Sequence, residues 1–446
     1  MKEMSVAVIG ACGRVGFGLS LVLAEAGYQV FGVDINVEAV DAINDGKVPF
    51  MERGAEAALS ALLPTGRLKM TMDPSVVKDV DTVVMIPGTP IDAHHNPDLR
   101  PLVAALDEVA GFLRAGQLII LRSTVSPGAT SVVKDLAARI SGLEPDVDFD
   151  LVFAPERVVE GRSLEESREI PQIVGAFSDR GFERAERFFG RFNGHPCIRV
   201  SPCEAELAKL MCNMYRYAQF ALANELFLIA ESFGADAHRV IAACNSGYGR
   251  AAIPRPGPNV GGPCLSKDGW FLLEGIPFAG MISSAFHINE GMPAQIIRKL
   301  EAESKMERVG VLGLSFKPEC DDPRSSLSYK LIKQLRRRGI EVITADPYLA
   351  SDGLERFAGL DAVVLMTPHE AYRDPSFVAR HVGRGDCVYC DIWGYWGEKV
   401  PAARNGMFRG RDLLWEDAEL TRELARIHPL EAEPRTEAET SLEDRP

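Results

Sequence analysis

The chain has 446 residues, 46% hydrophobic and 25% charged, with a formal net charge of −14. That length predicts two or three domains, and the ordinary composition predicts a soluble globular protein. The acidic balance argues against nucleic acid or an anionic membrane as partner, since both reward clustered Lys and Arg, and no apolar run approaches the roughly 18 residues of a membrane span.

The opening residues MKEMSVAVIG run straight into an apolar strand and lack a signal peptide's cleavage region, which reads as a cytoplasmic protein. Nine cysteines scattered through such a chain are expected to be reduced thiols. The segment MSVAVIGACGRVGFGLSLVLAEAGYQVFGVD reads strand, turn, helix, strand. A short apolar run, Val6 to Ile9, meets Gly10, Gly13 and Gly16; an amphipathic stretch to Ala26 stops at Gly27; and QVFGVD closes with Asp34. Further apolar runs at 81–90, 116–128 and 149–161, with helical patterns between some of them, predict a parallel sheet covered on both faces.

Residues 202–233 form a long helical pattern without glycine or internal proline, apolar around much of its circumference. Such a helix is expected to be buried between domains or subunits, which predicts a homodimer or larger homo-oligomer. After residue 300 the opening pattern returns. Asp361-Ala-Val-Val echoes Asp81-Thr-Val-Val, and Ala345-Asp346 echoes Val33-Asp34. The predicted fold class is therefore α/β, two Rossmann-like domains with parallel sheets joined by a long central helix or helical domain. The expected layout is 1–200 for a dinucleotide-binding domain, 201–300 for a central helical dimerisation domain, 301–428 for a second Rossmann-like domain, and 429–446 for an acidic, apolar-poor, disordered tail.

Gly10, Gly13 and Gly16 lie between a strand and a helix, with an acid ending the next strand, the context a dinucleotide site needs. Glycines let backbone amides approach a pyrophosphate at a helix N-terminus, and the carboxylate takes ribose hydroxyls. Asp34 would also repel a 2′-phosphate, so NAD is expected over NADP. The spacing carries one residue more before Gly13 than G-x-G-x-x-G does.

In PGPNVGGPCLSKDGW (256–270), Cys264 lies in a run of glycine and proline, which predicts irregular backbone and a thiol displayed on a loop. Lys209 and Asn213 are four apart on the long helix and so share a face. Cys387 and Cys390 form a lone C-x-x-C without the second pair or spaced histidines a zinc site wants, and read as a buried strand. His94 and His95 read as a polar loop, and no metal site is expected.

Several ordered stretches resemble the UDP-glucose/GDP-mannose dehydrogenase family of nucleotide-sugar 6-dehydrogenases. They are the glycine loop, PGTP (87–90), LRSTVSPG (121–128), APERVVEG (154–161), EAELAKLMCNMYRY (204–217), GGPCLSKD (261–268) and LSFKPECDDPRSS (314–326). APERVVEG, EIPQIVG (169–175) and GGPCLSKD resemble the UDP-N-acetylhexosamine branch. The resemblance implies NAD-dependent, four-electron oxidation of a sugar C6 alcohol to a uronate for polysaccharide or glycoside precursors. It implies Cys264 as the nucleophile, capturing an aldehyde as a thiohemiacetal that becomes a thioester. Lys209 and Asn213 would reach the sugar, Asp268 would support Lys209 and the water chemistry, and Thr124 and Glu156 would position water or cofactor. Glu156 would act as acid or base if burial raised its pKa. For NAD the resemblance implies Gly10, Gly13, Arg14, Val15, Gly16, Asp34, Thr89, Thr124, Glu160, Lys267 and Arg324. For the nucleotide sugar it implies Glu156, Arg157, Lys209, Asn213, Gly261, Gly262 and Lys317, with Arg250 supplied by a neighbouring subunit. The competing readings are a two-electron β-hydroxyacid dehydrogenase and a non-catalytic NAD-binding scaffold.

Overall fold

A computed structural model describes residues 4–273, 276, 280–303, 305–397, 399–400 and 406–413. The tail expected to be disordered, 429–446, lies outside the described residues. The chain divides into two compact units. The first holds residues 1–222, 261–289 and 320–325, and the second 223–260, 290–319 and 326–446. The central segment 201–300 is thus shared between the two.

The first unit is built on eight strands: β1 (Ser5–Ile9), β2 (Gln29–Val33), β3 (Leu68–Thr71), β4 (Thr82–Met85), β5 (Leu118–Leu121), β6 (Asp150–Phe153), β7 (Ile173–Ala176) and β8 (Ile198–Val200). Their order is β3-β2-β1-β4-β5-β6-β7-β8. All neighbours run parallel except β6 and β7. TVVM, LIIL and DLVF are buried at every position, as strands covered by helices on both faces must be. Two apolar clusters occupy those faces, one around Phe17, Leu21 and Tyr28, the other around Leu102, Leu106 and Phe149. Strand order reverses between β1 and β4, which opens a crevice at their carboxyl ends. The glycine turn stands there.

The second unit carries β9 (Arg308–Leu312), β10 (Glu341–Ala345), β11 (Ala362–Leu365), β12 (Val388–Cys390) and β13 (Met407–Arg409), in the order β10-β9-β11-β12-β13. All pairs are parallel except β12 with β13. Cys387 and Cys390 are buried on β12 or beside it, where they pack as apolar residues.

The long helix runs from Pro202 to Ser232, one residue short of the predicted span. Near its start Glu206 is buried and its carboxylate receives the backbone N–H of Gly128 (2.5 Å) and Thr130 (2.7 Å). Those groups open the helix Ala129–Ser141, whose N-cap Gly128 has no side chain to offer. An acid on one helix caps another and fixes the register at which Lys209 and Asn213 are presented. Among the described residues no helix is long and apolar enough to cross a membrane.

Candidate active site

The turn after β1 is shaped by backbone contacts. Gly10 takes φ +86° and donates its N–H to Val33 O at 2.8 Å. A Cβ on Gly16 would run into the Gly10 carbonyl, so only glycine lets the first helix, Arg14–Glu25, approach the strand end so closely. Gly13 is its N-cap and no side chain caps it, which leaves first-turn N–H groups for an anion. Arg14 and Val15 are the first helical residues. The Asp34 carboxylate accepts the N–H of Cys12 (2.8 Å) and of Asn36 (3.0 Å), one on each oxygen. A carboxylate has about four acceptor positions, so it stays open to a ribose diol. Uncapped amides beside a partly free carboxylate are a donor and acceptor set that fits NAD. Burial, then the charge of Asp34, pushes the Cys12 thiol up to about 12, so Cys12 packs as an apolar residue.

Cys264 is not on a loop. It is the third residue of a helix, Gly262–Leu273, entered through Gly261 (φ +117°) and Gly262 (φ +59°), with Pro263 in the first turn. Proline lacks an N–H that the first turn would leave unpaired anyway, so glycine followed by proline starts this helix rather than breaking one. Tyr217 lies 3.0 Å from where a Cβ on Gly261 would be. Helical spacing puts Cys264, Lys267 and Asp268 on one face. The Asp268 side chain is 1% exposed, and its oxygens receive the Asn213 amide (2.6 Å) and the Lys267 ammonium (2.9 Å). The carboxylate expected to support Lys209 therefore holds Lys267 and Asn213 directly. Lys209 acts on the thiol through its charge.

Cys264 is reached by solvent at the surface yet closely surrounded by protein. That desolvation raises its pKa, and the Asp268 charge adds to the rise. Lys209 and Lys267 oppose both. The first-turn position also favours the thiolate through the helix dipole.

Glu156 behaves differently from the acid-or-base expectation. Burial alone would raise its pKa, but the Arg122 guanidinium bound to it, with the N–H groups of Arg157 (2.8 Å) and Val158 (3.1 Å), brings it below the ordinary value. It is a fixed carboxylate. Arg122 is 3% exposed and was missed, because an arginine inside LRSTVSPG gives no sign of which acid it will meet. Arg157 donates to Pro171 O, Thr89 is buried, and Thr124 is half-buried after β5.

A second charged group surrounds Glu160. Arg14 donates to Asp321 (2.7 Å) and lies 3.7 Å from Asp322, while Arg324 binds Asp322 (2.6 Å) and Glu160 (3.2 Å). Burial, followed by the nearby Asp322 charge, raises Glu160 to about 7. These residues belong to the first unit, and Arg324 shares Glu160 and Asp322 with Arg14 of the glycine turn. Lys317 and Arg250 belong to the second unit. Lys317 is half-buried, and Arg250 is exposed with its guanidinium 4.9 Å from the Tyr248 ring. His95 is more than a polar loop residue: at φ 65° it stacks on Trp270 of the cysteine helix, ring centroids 4.6 Å apart.

Comparison with known proteins identifies the family. Residues 4–193 match the NAD binding domain of the UDP-glucose/GDP-mannose dehydrogenase family, 203–290 its central domain and 310–396 its UDP binding domain. The chain is 34% identical to a UDP-N-acetyl-D-mannosamine dehydrogenase of Pyrococcus horikoshii, covering 84% of this chain and 91% of that protein. It is 30% identical to an NDP-N-acetyl-D-galactosaminuronic acid dehydrogenase of Ralstonia nicotianae, over 90% of this chain and 98% of the relative. The solved structure of a UDP-D-ManNAc dehydrogenase from Pyrococcus horikoshii superposes with a TM-score of 0.80 at 33% identity, covering 85% of this chain and 93% of that one. The chain belongs to the UDP-glucose/GDP-mannose dehydrogenase family and is an NAD-dependent nucleotide-sugar dehydrogenase.

Proposed function

We propose that the protein oxidises the C6 alcohol of a UDP-N-acetylhexosamine to the carboxylate, with Cys264 as covalent nucleophile. The observation that carries this reading is the helix of Cys264: a solvent-reached thiol in a first turn, opposed by Lys209 and Lys267, with Asp268 fixing Asn213 beside it. The choice of sugar rests on the branch-like motifs and on the N-acetylated sugars in the relatives' names.

NAD, when bound at the glycine turn, supplies the hydride acceptor at both oxidation levels. Overall, alcohol, water and two NAD give carboxylate, two NADH and three protons. The Cys264 thiolate adds to the C6 aldehyde carbon, and the oxygen that becomes an alkoxide is stabilised by the Lys209 cation and the Asn213 amide. Oxidation of that thiohemiacetal leaves a thioester; water adds to its carbonyl and the thiolate departs, regenerating Cys264. Asp268 orients Asn213 and Lys267. Glu156, held ionised by Arg122, orients water as an acceptor rather than donating a proton. Asp34 disfavours a 2′-phosphate. The long helix exposes Met211, Tyr215, Leu222 and Ile229, an apolar stripe that supports a dimer across this helix.

The test is a panel of UDP-N-acetylmannosamine, UDP-N-acetylglucosamine and UDP-glucose with NAD, counting NADH. Two NADH per sugar are expected, with an N-acetylated sugar preferred; one NADH per sugar overturns the four-electron reading. Cys264→Ser is expected to lower turnover at least about 10³-fold, the scale of losing an activated nucleophile. Unchanged turnover removes the covalent step.

A further inference from the structure

The second unit encloses a cavity of about 420 Å³ that none of the roles above uses. Its walls come from the helix Ala237–Asn245, the loop after it and the turns around β12 and β13. Asn245 ties that loop down by a pair of bonds with the backbone of Ile253, 2.8 and 2.9 Å. Gly394, at φ +62°, lets its chain lie against the His238 ring, which a Cβ there would strike.

Two side chains in this cavity each hold one buried polar atom without a hydrogen bond. Asp391 is 3% exposed; one oxygen accepts the Trp396 N–H at 2.8 Å and the other, Oδ1, has no hydrogen bond. Nε2 of His238 is likewise buried and unbonded. An unmatched buried carboxylate oxygen is costly, and native folds seldom keep one without a use. Burial raises the Asp391 carboxyl to about 6 against the backbone N–H groups of Trp396 and its neighbours, so at neutral pH it is mostly an anion. Arg239 and Arg255 also line the cavity, and both are exposed to solvent. Two guanidinium groups at the open side select an anion, and guanidinium forks match phosphate oxygens. Asp236, which caps the helix by accepting the Arg239 N–H at 3.1 Å, and Asn245 also line it, and much of the rest is apolar, including Ile241, Val400 and Phe408. A size of about 300–1,000 Å³ with few converging polar groups is usual for a small-molecule site.

We propose that this cavity binds a phosphorylated polyol, its phosphate on Arg239 and Arg255 and a hydroxyl or amide N–H donating to Asp391 Oδ1. A nucleotide and a sugar phosphate share that chemistry. The test uses the whole protein without added nucleotide, titrated calorimetrically with glucose 6-phosphate, UMP and inorganic phosphate, binding lost in variants of the two arginines being that of this cavity. One ester is expected to bind once per chain and at least tenfold more tightly than inorganic phosphate, and which ester wins identifies the source. Arg239→Ala and Arg255→Ala, both exposed, should each weaken it about tenfold. Asp391→Asn should erase the advantage of the ester over inorganic phosphate. The proposal is overturned if neither ester binds saturably, if inorganic phosphate binds as tightly, or if both arginine variants bind like the parent.

Discussion

The turn after β1 and the turn after β9 begin alike and end differently. Gly10 and Gly313 have φ of +86° and +84°, and each donates its N–H at 2.8 Å to the last residue of the neighbouring strand, Val33 or Ala345. Each turn then gives backbone N–H groups to an acid, Asp34 or Asp346. In the first unit the helix follows at once, uncapped. In the second, a longer segment intervenes, and the helix Leu327–Arg337 is capped by Ser326 and by the buried Asn259, which accepts the Leu327 N–H at 2.7 Å. The Asn259 amide also donates to Ser315 O (2.9 Å), Ser326 Oγ (3.1 Å) and Thr367 Oγ1 (2.9 Å). Asp346 faces His369, whose Nε2 lies 3.4 Å away with both side chains fully buried. The same strand-and-turn device thus has open donors in one unit and internally satisfied donors in the other. The open one leaves helix-start N–H groups free for a dinucleotide.

The sharpest way to break this comparison is to add one methyl group to each turn. Gly16→Ala drives a Cβ into the Gly10 carbonyl and should cost at least about 100-fold in NAD affinity, since a shift of an ångström in a positioning loop is worth that much. Gly313→Ala meets the Thr367 backbone at positive φ and should lower stability by roughly 3 kcal/mol or more, with NAD affinity unchanged. Fluorescence titration with NADH and thermal melts separate the two effects. Equal loss of NAD binding in both variants would erase the distinction drawn between the turns.

Asn259→Ala comes next in size. It strips the Leu327 N–H of its acceptor and takes one donor from Ser315 O, which keeps the Thr367 hydroxyl (2.6 Å), and from the Ser326 and Thr367 hydroxyls. Removing one member of a buried network costs about 2–4 kcal/mol. The expected outcome is a lowered melting temperature with NAD affinity retained.

What could be read from the sequence divides along the same line. Gly10, Gly13, Gly16 and Asp34 are legible because a close backbone approach demands glycine and the acid follows within one strand. The long helix is legible because its apolar pattern runs unbroken from 202, and the Cys264 motif is legible through its resemblance to the family. Its local structure differs from the loop that glycine and proline predict: Gly261 leads into a helix with Gly262 and Pro263 in its first turn, where proline is tolerated. Asn259, Arg122 and Glu206 were not legible at all. Each acts through a partner 34 to 76 residues or more away, and nothing local to a buried Asn, Arg or Glu names that partner.

The smallest effect tests the charges beside the open turn. Burial and then Asp322 raise Glu160 from 4.5 to about 7, whereas Asp346 in the closed turn is lowered, its burial outweighed by His369 and backbone amides. The signs are opposite. Between pH 4.5 and 7 folded Glu160 keeps a proton that the unfolded chain has lost, so stability falls as pH rises through that window and levels off above it. Asp346 contributes stability above its unfolded value of 3.8, and that contribution is lost as pH falls below it. Glu160→Gln cannot ionise, so its melting temperature should decline less from pH 5 to pH 8 than the parent's, by a difference on the order of 1 kcal/mol after allowing for the lost pairing with Arg324. Melts at both pH values measure that difference. Parallel curves for parent and variant would mean that Glu160 is ionised throughout, and that Arg14 and Arg324, rather than a held proton, balance the acids next to the cofactor turn.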